Sequence, residues 1–527
     1  MKWKILPKKS NSLIEQFLLN RGIKTLKEKE HFFNPQVSDY EKNLNLKGIP
    51  NAKKRIEKAI KENELIIVYG DFDADGICGA AVLYLGLTSI GAKVLPYIPH
   101  REKEGYGLSK AGLEYARDSG AGLVITVDCG IVNFEQALFA KEIGLDLIIT
   151  DHHQIFDGKL PSCLEVVHST EICGTAVGWC LVRSLISRKD LEELLDLVAM
   201  ATVADMMPLT GVNRAFVKLG LEKLNRTKRV GLLALFNEAG ITCGNITSYD
   251  IGHIIVPRLN AMGRIEHAID SLRLLCTKDP LKAHKLAELI GSVNMQRKEL
   301  TLKAFEEAKI LVNGSKKIHV LYSKDWIPGI VGLVAGRVCE ETQVPAVAIS
   351  VGEVYSKGSA RSVRGVNIVQ ILRKCSDILV AVGGHPGAAG FTIETSKIEV
   401  FKSRLEELMD GNEISREHEL EIEAEVSSDK LTLSLAKELE KFEPFGVGNK
   451  IPLLATMNTK LSDLRTVGDG KHLKGKVDNV DFIGFSMGNM EKVLENGQYV
   501  GVAYTLDIDR FQGAEKLQFK VKDIKVL

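Results

Sequence analysis

Four short clusters within residues 71–205 carry side chains able to do chemistry. Asp71, Asp73 and Asp75 alternate in "YGDFDADG", and Asp128 stands in "ITVDCG". Asp151, His152 and His153 follow one another in "DLIITDHHQIF", and Asp205 closes "ATVAD". Carboxylates gathered in one place repel, and their pKa values rise unless a cation compensates. Oxygen ligands joined by one or two imidazoles suit Mn²⁺ or Mg²⁺ better than a thiolate-seeking ion. Four carboxylates and a histidine suffice for two ions. Such a pair, ~3.5–4 Å apart, can produce a hydroxide nucleophile and clamp a phosphoryl group for in-line attack. Taken singly, each acid also reads as a helix cap or turn residue. Cys78 and Cys129 lie close by in sequence and read as small buried cysteines.

The elements around these clusters decide whether they meet. Segments 64–70, 93–99, 122–130 and 145–150 are apolar and strand-like. They alternate with helical patterns at 77–92, 109–120 and 133–144. Apolar strands alternating with helices of this length predict a parallel sheet wrapped in helices. In such a sheet ligands bind at the carboxyl ends of the strands. Asp71 to Asp75, Asp128 and Asp151 to His153 all fall at that edge. Asp205 ends a helix that is otherwise apolar, where a carboxylate meets an unfavourable dipole. A nearby cation would explain it.

The rest of the chain divides by texture. Residues 1–45 read as short helices around a basic start, and 46–210 hold the acidic clusters. Residues 211–315 are helical by apolar spacing, and 316–410 form a second alpha/beta region with a glycine-rich segment at 383–390. Residues 411–527 alternate in short strands that predict a small barrel. At ~150 residues per domain, 527 residues suggest three or four domains. A net charge of +1 argues against a purely electrostatic nucleic-acid binder, so such a partner needs a local basic groove. Nine cysteines without a C-x-x-C pair argue against a disulfide framework or structural zinc. No secretory h-region and no apolar run of ~20 residues is present, so a cytoplasmic location without membrane attachment is expected.

The motifs, in this order, resemble the DHH phosphoesterase superfamily. "IPHREKEGYGLS", "PRLNAMGR", "GSARS", "GGHPGAAG", "EPFGVGN" and "VGDGKHLK" extend the likeness over nearly the whole chain. The group most resembled is the RecJ family of single-strand-specific 5′-to-3′ exonucleases. The resemblance implies an α/β fold: a parallel-sheet DHH domain, a helical connection, a second α/β DHHA1 domain and a C-terminal β-barrel of OB type. It implies two divalent ions, Mn²⁺ preferred and Mg²⁺ admissible. Asp73, Asp75, Asp128, His152 and Asp205 would be ligands, with Asp128 between the ions and a metal-activated hydroxide attacking phosphorus. His153 would face the scissile phosphate. Asp151 and Asp71 would support from behind. Ser359, Arg361 and Arg101 would bind a terminal 5′ phosphate, and His385 another phosphate. Tyr106 would stack on a base, and Arg258 and Arg264 would line the strand's path. In the barrel, Lys471, His472, Lys474 and Phe485 are candidate strand contacts, with Phe485 also readable as core.

The sequence departs from the family pattern at Phe72, where tyrosine is frequent, and at Ile327, where a histidine often follows the tryptophan. Pro386-Gly387 also replaces a bulkier pair. The implied activity is single-stranded DNA hydrolysis in recombination and repair by a monomer, served by a helicase and a single-strand-binding protein. Two other readings stand beside it. One is a DHH phosphoesterase acting on short oligoribonucleotides or cyclic dinucleotides. The other is a catalytically silent replication scaffold, which predicts damaged metal motifs.

Overall fold

A computed structural model describes residues 2–155, 157–410, 419–510 and 513–527. Two compact units are present, one of Asn45–Asp205 with Gly220–Arg416, the other of Met1–Leu44, Met206–Leu219 and Glu417–Leu527. The charged lead-in to the barrel and the expected boundary near 411 fall on residues 411–418, outside the described residues.

The larger unit begins with a five-stranded, all-parallel sheet. Its strands are β1 (Leu65–Gly70), β2 (Lys93–Tyr97), β3 (Ala121–Val127), β4 (Asp146–Asp151) and β5 (Glu165–His168), in the order β2-β1-β3-β4-β5. Ile66, Ile67 and Val68 of β1 and Val124 and Ile125 of β3 are fully buried. A strand buried on both faces is apolar at every position, which is why these segments run without alternation. Each such side chain contributes about 1.5–3 kcal/mol on burial, so Ile67→Asp would break the sheet at its centre. The fifth strand, four residues long, has too few residues to declare a period.

Helix α1 (Ala74–Ser89) is buried on nearly every side. It packs against α2 (Gly174–Arg183) and α3 (Leu195–Ala204). The helical connection contains α4 (Val256–Ile265) and α5 (Pro280–Leu311), a 32-residue helix. Asp279 starts α5 by accepting from the Leu281 and Lys282 amides, and Pro280 occupies a first-turn position where its missing N–H costs nothing. At 1.5 Å per residue α5 is about 48 Å long.

A second sheet follows, with strands β6 (His319–Ser323), β7 (Ala346–Ser350), β8 (Tyr355–Arg361), β9 (Leu379–His385) and β10 (Ala388–Glu394). Its order is β9-β10-β8-β7-β6, with only β6 and β7 parallel. Helix α6 (Val331–Thr342) packs on β7 and β8. The glycine-rich segment "GGHPGAAG" is part of the β9–β10 hairpin, His385 opposite Ala388.

The smaller unit holds a six-stranded sheet closed into a barrel by pairing of Leu454–Val467 with Tyr499–Asp509. The opening residues do not form helices only. Lys2–Ile5 is a strand parallel to Glu419–Ile422. Arg214 is buried there and donates to the carbonyls of Phe32, Glu443 and Pro444. Among the described residues, no helix is long and apolar enough to cross a membrane.

Candidate active site

The site is assembled at the carboxyl edge of the first sheet, where strands end and helices begin. Asp73 is the cap of α1: its Oδ1 accepts from the Asp75 and Gly76 amides at 3.0 and 3.1 Å. Capping and site placement therefore coincide in one carboxylate. The next free amide, Ala74 N, donates to Asn260 Oδ1 on α4 at 2.7 Å. Asp75 faces the start of α2, where Gly174 N donates to Oδ2 at 2.7 Å and Thr175 N to Oδ1 at 2.8 Å. A helix N-terminus favours a carboxylate, so α2 fixes the Asp75 oxygens.

Asp128 follows β3 in the left-handed region, with φ 63. Few residues other than glycine adopt it, and aspartate does so more readily than most. Gly174 explains the close fit: a Cβ there would lie 2.6 Å from Asp128 Oδ1. One glycine thus admits both Asp75 and Asp128.

The "DHH" residues diverge in direction. Asp151 is buried and fully engaged. Its Oδ1 accepts from the His152 and His153 amides and the His153 ring at 2.7, 3.1 and 2.8 Å, and its Oδ2 from Ile131 N at 2.9 Å. His153 Nε2 lies 3.0 Å from the Tyr106 hydroxyl. His152 turns the other way. Its Nε2 is 3.1 Å from Asp128 Oδ1 and 3.8 Å from Asp75 Oδ2, and its Nδ1 is 3.7 Å from Asp205 Oδ2.

The electrostatics are those of crowded acids that a cation would stabilise. Burial, then Asp73, pushes the Asp71 carboxyl well above its usual range. Burial, then Asp75, raises Asp73, and burial with all the neighbouring acids raises Asp128 strongly. Asp205 is pushed up to about 8 by burial, Asp75 and Asp73. Burial lowers His152, favouring the neutral imidazole that a metal needs. Burial also pulls His153 down, but Asp151 outweighs it and holds the ring at about 9.

The residues fit metal ions on an observation of their own. Asp71 Oδ1, Asp128 Oδ1 and His152 Nε2 are buried with no hydrogen-bond partner. Three groups of side chains offer ligand atoms within 4.8 Å of one another: Asp71, Asp73 and Asp128; Asp75, His152 and Asp205; and Asp128, His152 and His153. Oxygen-rich sets with one imidazole match Mn²⁺ or Mg²⁺. Asp71, expected in a supporting place, contributes an oxygen to the first of these groups.

The basic residues separate into those brought toward the acids and those that are not. The Arg101 guanidinium stacks 4.8 Å from the Phe72 ring centroid and feels Asp71 and Asp73. Arg264 donates to Gly329 O at 3.0 Å, at the approach to α6. Arg361 donates to Ser359 Oγ at 2.9 Å. Beside them a Cβ at Gly332 would sit 3.0 Å from Arg361 Nη2 and 3.1 Å from Ser359 Oγ. The first turn of α6 therefore faces these two side chains. Tyr106 is edge-on to Phe72 with its hydroxyl bonded to His153, and its ring is exposed. Arg258 is ion-paired to Glu238 at 2.7 Å and donates to Ile254 O, so it ties α4 to the helix Val230–Ala239. His385 is exposed at the hairpin. In the smaller unit Phe485 is exposed and edge-on to His472, so it is not core.

Asn260, Gly174 and Thr175 were not among the expected site residues. Asn260 stands in "PRLNAMGR", between Arg258 and Arg264.

The chain is similar to known proteins along nearly all of its length. Three family profiles match: the DHH family N-terminal domain over residues 65–202, the DHHA1 domain over 315–411 and the RecJ OB domain over 422–523. The single-stranded-DNA-specific exonuclease RecJ of Bacillus subtilis is 34% identical over 98% of this chain and 68% of that protein. The protein of the same name from Escherichia coli is 30% identical over 98% and 96%. The crystal structure of Thermus thermophilus RecJ in complex with Mn²⁺ superposes with a TM-score of 0.87 at 28% identity, covering 99% of this chain and 79% of that one.

Proposed function

The chain belongs to the RecJ family, and on that premise we propose how its residues act as a single-stranded-DNA-specific exonuclease working from the 5′ end. The observation that carries the reading is the set of three buried, unpartnered atoms, Asp71 Oδ1, Asp128 Oδ1 and His152 Nε2, converging at one sheet edge. Asp71 and Asp73 would hold one ion, and Asp75, His152 and Asp205 the other, with Asp128 shared. Two divalent ions, Mn²⁺ or Mg²⁺, supply a nucleophile at neutral pH and neutralise phosphoryl oxygens.

The chain's own residues do the rest. Asp151 holds His153 through Nδ1, and Nε2, which meets the Tyr106 hydroxyl at 3.0 Å, would turn its proton to a phosphate oxygen when the strand is bound. With its ring held cationic, His153 offers a charge-assisted bond, about twice as strong as a neutral one. The Tyr106 hydroxyl sets the ring's angle. Ser359, Arg361, Arg264 and Arg101 would receive the 5′ phosphate, the planar guanidinium fork matching its oxygens. A pocket for the chain end beside the cage makes the cut an exonucleolytic one, releasing one nucleotide at a time. The substrate would be a strand exposed by a helicase or held by a single-strand-binding protein during recombination and repair. A silent scaffold has no need of this cage, and here every acidic position is filled.

The test uses 5′-labelled single-stranded DNA, matching RNA and a dinucleotide, each with Mn²⁺ and with EDTA. Metal-dependent release of mononucleotides from DNA supports the reading. Release confined to the dinucleotide, or release insensitive to EDTA, overturns it.

A further inference from the structure

The arginines beside the terminal-phosphate pocket exceed what one phosphate needs. Arg297 on α5 and Arg337 on α6 continue the row begun by Arg101, Arg361 and Arg264. Arg264 has Arg101, Arg297 and Arg361 as charged neighbours, and burial with their repulsion pushes it down to about 9. The charges acting on Arg297 are those of Arg337 and Arg258. Arg258 is already neutralised by Glu238. Among the described residues, Arg101, Arg264, Arg297, Arg337 and Arg361 form no ion pair.

The positions follow from helix packing. Helices α5 and α6 lie against each other. Arg297 is tethered through Nη2 to Asn294 Oδ1 at 2.8 Å, and its Nε is buried without a partner. The Arg337 guanidinium lies 5.7 Å from the ring centroid of Phe305, about two turns along α5 from Arg297. Asp71 and Asp73 act on Arg101, and Asp73 on Arg264, but neither acts on Arg297. Arg297 thus lies within electrostatic reach of Arg264 in the pocket, and Arg337 within reach of Arg297.

A guanidinium partly withdrawn from water and left unpaired is costly, and this is the state of Arg297, whereas Arg337 is exposed and open to a ligand from solvent. A terminal monophosphate brings about −1.5 to −2 charges, which Arg264 and Arg361 match. Arg297 and Arg337 remain over.

We propose that Arg297 and Arg337 form a second phosphate subsite, continuous with the terminal-phosphate pocket, which takes the outer phosphates of a single strand ending in a 5′ triphosphate. This rests on the reading of Ser359 and Arg361 as that pocket. Hydrolysis breaks the bond between the 3′ oxygen of the first nucleotide and the phosphorus of the second. The hydroxyl of water goes to that phosphorus, and its proton to the 3′ oxygen. The products are a nucleoside 5′-triphosphate and a shortened strand with a 5′ monophosphate.

The experiment compares one DNA sequence carrying a 5′ hydroxyl, monophosphate or triphosphate, in the Mn²⁺-loaded full chain. The first product from the triphosphate strand should be the intact nucleoside triphosphate. Arg297→Gln and Arg337→Gln should each raise KM for the triphosphate strand about tenfold relative to the monophosphate strand, with circular dichroism confirming folding. Equal effects on both strands, or a wild type that does not cut the triphosphate strand, would overturn the second subsite. Arg361→Gln separates the two readings. If it leaves the preference for monophosphate over hydroxyl intact, the pocket itself is wrong; if it abolishes that preference while Arg297→Gln treats both strands alike, only the second subsite is wrong.

Discussion

His152 Nε2 and Asp128 Oδ1 lie 3.1 Å apart, both buried, and neither makes a hydrogen bond. Two polar atoms in such proximity without a shared proton each direct a lone pair at a third centre. Burial of unpaired polar atoms costs about 1–3 kcal/mol each, a cost that a bound cation removes. Asp128→Asn should therefore reduce Mn²⁺-dependent nuclease activity by more than the roughly 10–100-fold typical of residues behind metal ligands. Asp151→Asn, behind His153, should fall within that range. Steady-state release from a labelled strand measures both, and a milder effect at Asp128 than at Asp151 would reverse the assigned roles.

Stability should depend on pH and metal together. Asp205 ionises near pH 8 in the folded chain but near pH ~3.9 when unfolded. A carboxylate with a raised folded pKa carries no penalty below the unfolded value. The penalty grows as pH rises toward 8 and is constant above it. The metal-free protein should thus lose stability between about pH 4 and 8 from this group. Mn²⁺ restores what repulsion removes, so the gain in Tm from Mn²⁺ over EDTA should be larger at pH 8 than at pH 5.5. A gain that is equal or smaller at pH 8 would contradict a caged set of acids.

Tyr106→Phe removes one neutral hydrogen bond to His153. The loss should be about 0.5–1.5 kcal/mol, or roughly 2–10-fold. It should appear in kcat with KM little changed, because the ring is packed on Phe72 and only the hydroxyl is lost. A change confined to KM would return Tyr106 to base stacking.

Gly174→Ala should cost about 1–3 kcal/mol through overpacking, because the new Cβ would meet Asp128 at 2.6 Å. Thermal denaturation with and without Mn²⁺ checks it. The metal-induced gain in Tm should shrink as well, since the same methyl group displaces a ligand. An unchanged gain would mean that Asp128 does not hold the ion.

The acids were legible in the sequence because parallel strands deliver their carboxyl ends to one edge. Asp73, Asp75, Asp128 and His152 therefore converge whatever the details of packing. Their supports were less so. Asp75 is held by Gly174, 99 residues away, and Ala74 by Asn260, 186 residues away. No local pattern links such partners, and "CGTAVG" reads as an ordinary helix start. Arg258 could not be told from Arg264 within one motif. The difference lies in Glu238, which ion-pairs Arg258 through a contact between helices. The β9–β10 hairpin was read only as a glycine-rich segment because glycine hides strand propensity, and Lys2–Ile5 is a strand only because Glu419–Ile422 pairs with it.

The central claim, a pair of ions sharing Asp128, is tested most directly by Mn²⁺ electron paramagnetic resonance on the full chain. At two equivalents the account predicts a spin-coupled spectrum, as expected for ions ~3.5–4 Å apart, which reverts to isolated Mn²⁺ in Asp128→Asn. A spectrum of isolated ions in the wild type, at the metal concentration that supports full activity, would contradict it.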